Sequence, residues 1–369
     1  MTYEFIAPCY FGTERSAAFD FKHVGATDVT VTDGRVAFRG DEQVLALANI
    51  FSRCTERILL LLKRARVKTF DELFDAVTSV PWEDLLPANA EFPVKGSSLS
   101  SQLSSVPACQ SIVKKAIVER LKRGHHVGVL PEDGELYKVR FSIRKDELEL
   151  FLDTSGDGLH KRGYRAHATE APIKETLAAT MVDLARVRGD SLMQDPFCGS
   201  GTLVIEAAQK ALRMAPGLRR HFIAEHYSFV PQQVWQQART RALDEIDRTA
   251  SFEGIGFDLD PQAIELAARN ARLAGVGDRC RFFAADVRKF APDKRSIVIT
   301  NPPYGERLGD LAGAAELEKA LGEALAANPV QGLYIITADA EFEQNFGKKA
   351  GKRRKLYNGM IPCQLYMYF

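Results

Sequence analysis

The 369 residues include only two Trp and six Cys, and the cysteines (Cys9, Cys54, Cys109, Cys198, Cys280, Cys363) lie far apart with no CxxC pair. Zinc ribbons and thioredoxin-like redox chemistry need paired thiols, so neither is expected, and scattered thiols suit a reducing, cytoplasmic setting. The seven histidines show no HExxH or other ligand spacing, and no metal site is expected. Long apolar runs are also missing. The most hydrophobic stretch, Ile58 to Leu62, is too short for a bilayer and is flanked by Arg57 and Lys63, so no membrane association is expected. The start, MTYEFIAPCY, has an acid at Glu4 and no basic region, unlike a signal peptide. Nor is there an excess of one charge. Lys plus Arg number 49 against 48 Asp plus Glu, net +1, so any nucleic-acid surface has to be a local patch. What is present is a globular composition, 46% hydrophobic and 26% charged, with a length that suits two or three domains.

Residues 1–65 read as short strands and helices. YEFIAPCY is a strand, VTVTDGRVAFRG a hairpin turning on Asp33-Gly34, and LALANIFSRCTERILLLL carries helical spacing. Residues 66–158 open on TFDELFDAV, a helix with Thr69 as N-cap and Glu72 three positions on. EFPVKGSS, a helix over 107–124, HVGVL and the alternating YKVRFSIRKDELELFLDT follow, so both portions read as small α+β units. GSSLSSQLSSVP is linker-like in composition, but the spacing of Leu99 and Leu103 predicts that it packs.

In the remaining portion, 159–369, strands alternate with helices. SLMQD, FEGIGFDLD, CRFFAAD, SIVIT and GLYIIT are strands; ETLAATMVDLARV, TLVIEAAQKAL and PQAIELAARNARLAG are helices. This α/β rhythm predicts a doubly wound, Rossmann-like parallel sheet with ligand sites at the carboxyl ends of its strands. RKLYNGMIPCQLYMYF reads as a terminal β-hairpin around Asn358-Gly359. Residues 206–250 are an insertion for such a fold and are expected to form covering helices, with an RNA-facing role open for Arg213, Arg219 and Arg220.

The first motif with chemistry is Asp195-Pro196-Phe197-Cys198-Gly199-Ser200-Gly201-Thr202, between a strand and a helix. Its glycines allow a tight turn and close approach to a ligand. The third glycine of a dinucleotide site and the lysine of a phosphate loop are both absent. An acid at the strand end without phosphate-holding features suits a ligand with an ammonium group, such as S-adenosylmethionine. Alone, the motif would serve equally as a capped strand–helix turn. Two more strands end in acids, however. In Asp258-Leu259-Asp260, Asp258 is placed to accept from a ribose diol and Asp260 to cap the helix beginning at Pro261. Asp286, before Val287, is placed to meet an adenine amino group.

The strand SIVIT then runs into Asn301-Pro302-Pro303-Tyr304. Two prolines stiffen the turn and leave carbonyls without neighbouring N–H groups. The Asn301 side-chain oxygen and the Pro302 carbonyl can accept from one exocyclic NH2, turning its lone pair toward an electrophile, while Tyr304 offers a ring for stacking. Alignment and dipoles would then carry catalysis. Cys198 reads as a packing residue, having no His nearby in sequence.

DPFCGSGT together with NPPYGERLG resembles the class I S-adenosylmethionine-dependent methyltransferases that modify exocyclic amines of bases. The resemblance extends through LHKRGYR (159–165), APIKETLAA (171–179) and KRRKLYNGMIPCQLYMYF, and residues 92–121 are similar to the THUMP domain, an RNA-binding module. Nearly the whole chain is similar to THUMP-containing large-subunit ribosomal RNA guanine-N2 methyltransferases. The resemblance implies a ferredoxin-like subdomain at 1–65, a THUMP domain at 66–158 and a methyltransferase domain at 159–369. It implies that Asp195 to Thr202 cradle the methionine part of S-adenosylmethionine, with Asp258 at its ribose and Asp286 and Val287 at its adenine. Pro172 and Glu175 would belong to a helix packed over the cofactor, and Asn301 to Tyr304 would hold the target base.

RNA contacts are expected from Lys114 and Lys115 on the THUMP-like helix and from Arg162, Tyr164 and Arg165 between the modules. The basic run of Lys348, Lys349, Lys352, Arg353, Arg354 and Lys355 is a further phosphate-binding patch. The expected partner is 23S rRNA or an assembling large subunit. Three alternatives stay open: adenine-N6 transfer on RNA or DNA, guanine-N2 transfer on tRNA, and a ribosome-assembly factor whose methylation is incidental.

Overall fold

The computed structural model describes residues 2–165, 173–303, 311–359 and 361–369, and of residues 311 and 312 only the backbone. Pro172 and Tyr304, two expected site residues, lie outside the described residues.

The first half is built from β1 (Tyr3–Pro8), α1 (Glu14–His23), β2 (Thr27–Thr32), β3 (Arg35–Gly40), α2 (Glu42–Phe51) and β4 (Leu59–Arg66). Next come α3 (Phe70–Thr78), β5 (Val94–Leu99), α4 (Val106–His125), β6 (Val139–Arg144) and β7 (Glu147–Asp153). Period-two alternation puts Phe5, Val36 and Phe38 on the face that meets the helices. The Asp33-Gly34 turn joins β2 to β3 with Gly34 at φ +74°, and Thr69 and Glu72 form the reciprocal cap of α3. All seven strands share one sheet, ordered β2-β3-β1-β4-β7-β6-β5, and β4 pairs with β7 across the expected border at residue 65.

Three local expectations change. LALANIFSRCTERILLLL is not one helix: α2 ends at Phe51, Ser52 turns extended, and the leucine run is the central strand β4. A continuous apolar run of that length fits a buried strand as well as a helix turn, and sheet pairing decides it. HVGVL forms no strand, because His126 closes α4 in the left-handed conformation (φ +56°). Of the linker leucines, Leu103 is buried, but Leu99 is 61% exposed.

The second half comprises α5 (Glu175–Leu184), β8 (Leu192–Asp195), α6 (Thr202–Ala211), α7 (Gln232–Asp244), β9 (Glu253–Asp258), α8 (Pro261–Ala274) and β10 (Cys280–Ala284). It continues with β11 (Ile297–Thr300), α9 (Leu311–Ala327), β12 (Gly332–Thr337), α10 (Phe342–Phe346), β13 (Lys352–Asn358) and β14 (Ile361–Tyr368). The sheet order is β10-β9-β8-β11-β12-β14-β13, parallel from β10 to β12, with the β13–β14 hairpin added antiparallel. The chain reverses direction across the sheet between β8 and β11, and a crevice for ligands opens at such a point. The loops carrying Asp195 and Asn301 flank it.

The insertion does not simply cover the second sheet. Phe222, Tyr227, Trp235, Ala238 and Ala242 belong to the hydrophobic core of the first half. Phe222 stacks on Trp235 at 5.4 Å, and Tyr227 stacks on Tyr137 at 4.5 Å and donates to the Asp153 carbonyl. Arg220 is buried, giving its guanidinium to the carbonyls of Asp157, Gly158 and Lys161, so it is a structural tie and not an RNA contact.

Candidate active site

A cavity of about 510 Å³ opens at the carboxyl ends of β8, β9, β10 and β11. Its wall includes Asp195, Pro196, Phe197, Cys198, Gly199, Ser200, Thr202, Asp258, Leu259, Asp286, Val287, Asn301 and Pro303. Residues from four strand ends thus meet in one space. Gly201 stands behind the wall as N-cap of α6, at φ +82°, where a Cβ would come within 3.0 Å of Ala267. Asp260 is also outside the wall and caps α8 through the Gln262 N–H, and Pro302, between two wall residues, is buried and does not line the cavity.

Asp195 is 1% exposed, and its Oδ1 accepts from the Thr300 hydroxyl at 2.7 Å and the Phe197 N–H at 3.1 Å. Burial pushes this carboxyl up to about 7, and the charge of Asp258 adds to the effect against those two donors. Asp258 holds the glycine loop: its Oδ2 accepts from the Gly199 N–H at 2.9 Å and its Oδ1 from the Asp260 N–H. Asp286 is held below the usual carboxylate range by the Arg288 N–H and guanidinium. Burial raises the Cys198 thiol well above its ordinary value, and a Cβ on Gly256 would come within 2.9 Å of the Cys198 Cβ. Cys198 therefore packs as a neutral thiol.

Asn301 Oδ1 is buried and has no hydrogen-bond partner among the described residues. A buried acceptor left open costs about 1–3 kcal/mol, and its presence at a cavity wall marks a place where a donor belongs.

These residues fit S-adenosylmethionine. Asp195 and Asp258 supply negative charge for a ligand that carries an ammonium and a sulfonium, and Asp258 and Asp286 keep lone pairs for a diol and an amine. Phe197, Leu259, Val287 and Leu317 supply apolar wall for a purine ring. A Cβ on Gly199 would meet no protein atom within 4 Å, which leaves its backbone open to the ligand. Glu175 is buried and does not reach the wall; Arg165 lies 3.5 Å from it and donates to the Ile173 carbonyl and Thr202 hydroxyl. Ile173 is the part of this segment that enters the cavity.

The expected RNA set divides. Arg162 is 4% exposed, donating to the carbonyls of Ser52, Arg53 and Leu159 beside Glu206. Tyr164 is buried with its hydroxyl on Glu206, and the Arg165 guanidinium is engaged as above. All three are corrected to structural residues, because they are largely buried and the hydrogen bonds they make go to buried protein partners. Arg354 gives Nη1 to the Gly12 carbonyl, and Arg353 is paired with Glu343. Lys114 is held by Glu132 above the ring of Phe92. Lys115, Lys348, Lys349, Lys352 and Lys355 remain exposed.

Sequence reasoning missed Ile173, Leu203, Ala285, Arg288, Gly313, Glu316 and Leu317 in the wall, and Thr300 as the support of Asp195. Thr300 was accessible as the residue before Asn301; the α9 residues carried no signal. Among the described residues there is no group of three or more His, Cys, Asp or Glu that could hold a metal, and no helix long and apolar enough to cross a membrane.

Comparison with known proteins agrees with this chemistry. Residues 162–367 match the RMKL-like methyltransferase domain, residues 4–59 the RlmL ferredoxin-like domain and residues 67–153 the THUMP domain. The chain is 39% identical over its whole length to a Bacillus subtilis (strain 168) protein called "Putative RNA methyltransferase YpsC", covering 96% of it. It is 35% identical, over 95% of its own length, to the ribosomal RNA large subunit methyltransferase K/L of Psychromonas ingrahamii, of which it spans 48%. The chain thus covers about half the length of the K/L relatives it matches. Among solved structures, SMU.472, a methyltransferase by name and complexed with SAH, has a TM-score of 0.94 at 38% identity, covering 100% of this chain and 98% of that one. A structure from Listeria monocytogenes str. 4b F2365, called "a predicted N6-adenine-specific DNA methylase", has a TM-score of 0.95 at 42% identity and coverages of 100% and 96%. The chain belongs to the RMKL-like family of S-adenosylmethionine-dependent RNA methyltransferases, with ferredoxin-like and THUMP modules ahead of the catalytic sheet.

Proposed function

We propose that this protein methylates the exocyclic N2 of a guanine in large-subunit ribosomal RNA. The observation that carries the reading is the buried Oδ1 of Asn301, without a partner among the described residues, at the wall of a cavity suited to S-adenosylmethionine. S-adenosylmethionine supplies an electrophilic methyl on a sulfonium that departs as a neutral thioether. The chain's part is to place the nucleophile. Asn301 Oδ1 and the Pro302 carbonyl accept the two amine hydrogens, which turns the nitrogen lone pair toward the methyl and favours the charge that develops on nitrogen. No strong base is required, since the methylated nitrogen gives up its proton to solvent. The target base has to leave its stack to reach the pocket. The THUMP match and the K/L relatives support ribosomal RNA, and the motif resemblance supports guanine N2.

Methyl transfer from labelled S-adenosylmethionine to unmodified 23S rRNA, followed by nucleoside mass spectrometry, tests the reading. N2-methylguanosine is expected, with kcat reduced roughly 10²–10³-fold in Asn301→Ala. N6-methyladenosine would replace the substrate with the one named for the Listeria protein. N2-methylguanosine on tRNA alone would replace the RNA. Cofactor binding with no transfer to naked rRNA, tRNA or DNA would favour an assembly-linked role.

A further inference from the structure

The N-terminal loop and the C-terminal hairpin meet beside the active site and leave aromatic surface open. Thr337, the last residue of β12, pairs with Gln364, whereas the Leu356–Cys363, Tyr357–Pro362 and Asn358–Ile361 pairs lie beyond it. Thr300 pairs with Ile335, so Asn301 leaves the sheet at about the level where β12 ends. The β13–β14 hairpin therefore projects past the edge on which Asn301 stands, by about 10 Å, and β13 lies about 14 Å from β11 across three strand spacings.

Phe11, from the loop after β1, sits against this projection. Its ring centre is 6.4 Å from that of Tyr357, and Arg354 Nη1 donates to the Gly12 carbonyl at 2.5 Å. The β2–β3 turn backs the ring, since a Cβ on Gly34 would lie 3.4 Å from it. Even so, Phe11 stays 55% exposed. The same loop meets the segment that enters the catalytic cavity: Lys174 Nζ lies 5.7 Å over the Tyr10 ring, and Lys174 follows Ile173 of the cavity wall in sequence. Lys355 Nζ is 5.6 Å from the Tyr357 ring, and Lys352 continues the cationic strand. The open Phe11 ring, with the half-buried Tyr357 and the exposed Lys355 beside it, suits a single-stranded nucleic acid, whose bases stack while its phosphates meet the cations. The lysine rim favours such a polyanion over a protein segment.

We propose that the exposed Phe11 ring, supported by the Tyr357 ring at a tilt of 59°, forms with it a stacking platform for an unpaired nucleotide neighbouring the one that enters the Asn301 pocket. The proposal rests on the RNA reading above. It gives the contact between the two chain ends a role: each module contributes one ring, so the platform exists only in the assembled protein.

The test is the Kd of the full chain for a 23S rRNA fragment that it methylates, or for whole 23S rRNA if none is found, with S-adenosylhomocysteine present. Phe11→Ala and Tyr357→Ala should each weaken binding roughly tenfold, within the range for loss of one base–aromatic stack. Phe11→Trp should retain it, and S-adenosylhomocysteine affinity should be the same in all variants, which also reports folding. A 2-aminopurine at the neighbouring position, or throughout a single-stranded probe, should be quenched by wild type and by Phe11→Trp but not by Phe11→Ala. Unchanged Kd and quenching in the alanine variants would overturn the platform, as would a methylation defect confined to ribosomal particles, which would make the rings a protein contact. Absence of N2-methylguanosine with the wild type is the separate failure of the functional reading, and the binding measurements decide the platform regardless.

Discussion

Asp195 is buried at the end of β8 with its carboxyl pushed up to about 7, so between pH 8 and pH 6 it passes from mostly charged to mostly neutral. S-adenosylhomocysteine keeps its ammonium group protonated throughout that interval. If the charged form of Asp195 holds this ammonium, the apparent Kd scales inversely with the ionised fraction. It should be about 1.1 times its limiting value at pH 8, about twice at pH 7 and about elevenfold at pH 6, a change of roughly 1.4 kcal/mol across the two units. Isothermal titration calorimetry at the three pH values measures it. Repeating pH 7 in two buffers of different ionisation enthalpy counts the proton released, expected to be about one half. Asp195→Asn should bind more weakly at pH 8 and show a flat profile. The sign for stability is opposite to that of an ordinary salt-bridged Asp. Because the folded value lies above the unfolded one, the stabilisation is complete below the usual carboxylate range and is lost as pH rises through about 7. The ligand-free protein is then penalised at pH 8, where S-adenosylhomocysteine should raise Tm more than at pH 6. A wild-type Kd constant within twofold from pH 6 to pH 8, or the same slope in Asp195→Asn, would refute the assignment.

Two further predictions concern buried charge. Arg162→Met removes the donor to the Arg53 carbonyl and one of the cations acting on buried Glu206, with Arg53 remaining, which should cost about 3 kcal/mol in chemical denaturation. The double variant Arg162→Met/Glu206→Met should be less destabilised than the sum of its singles; a loss under about 1 kcal/mol for the single would return Arg162 to the surface. Glu318 is fully buried, hydrogen-bonded by Asn345, and raised to about 7, chiefly by burial, with Asp339 contributing. Its folded value is also above the unfolded one, so wild type loses stability as pH rises through about 7, and Tm of Glu318→Gln relative to wild type should increase from pH 6 to pH 8 in differential scanning fluorimetry. An equal gap at both pH values would count against it.

The parts of the site that were readable in the sequence are those whose geometry is local. Asp195 through Thr202 run from the end of β8 to the start of α6 and Asn301 through Pro303 directly follow β11, and the roles expected of them were read from the strand end, the turn and the lone acceptor. Their convergence followed from parallel topology, which puts successive carboxyl ends on one edge. Arg162, Tyr164 and Arg165 failed for the opposite reason. Cations around an aromatic have the same composition in a nucleic-acid contact and in a buried tie. What separates them is Glu206 on α6 and the carbonyls of Ser52 and Arg53, all remote in sequence. The leucines of β4 were ambiguous because a run without period fits either element, and only pairing with β1 and β7 resolves it.

The insertion settles something no local pattern could, namely how the two halves are oriented. Phe222, Tyr227 and Trp235 place the catalytic half's own chain inside the core of the first half. At Gly217 the backbones touch: its N–H donates to the Ile50 carbonyl at 2.8 Å, and a Cβ there would fall 2.7 Å from the Ile50 Cα. Arg53 on the Met214 carbonyl adds a further tie within the insertion, and the Ser16–Asp183 hydrogen bond and Arg354 on the Gly12 carbonyl fasten α5 and β13 to the first module. Independent domain motion is the default for small polar interfaces, and here shared apolar core packing is added to the polar ties. The THUMP-bearing half is thus a fixed arm whose bearing on the Asn301 pocket is built in. On the proposed function, an arm fastened in this way leaves domain closure no part in carrying a bound RNA to the pocket. On the same proposal, the target nucleotide has to be turned out of its stack toward Asn301, so that local opening of the RNA is the step expected to select the base.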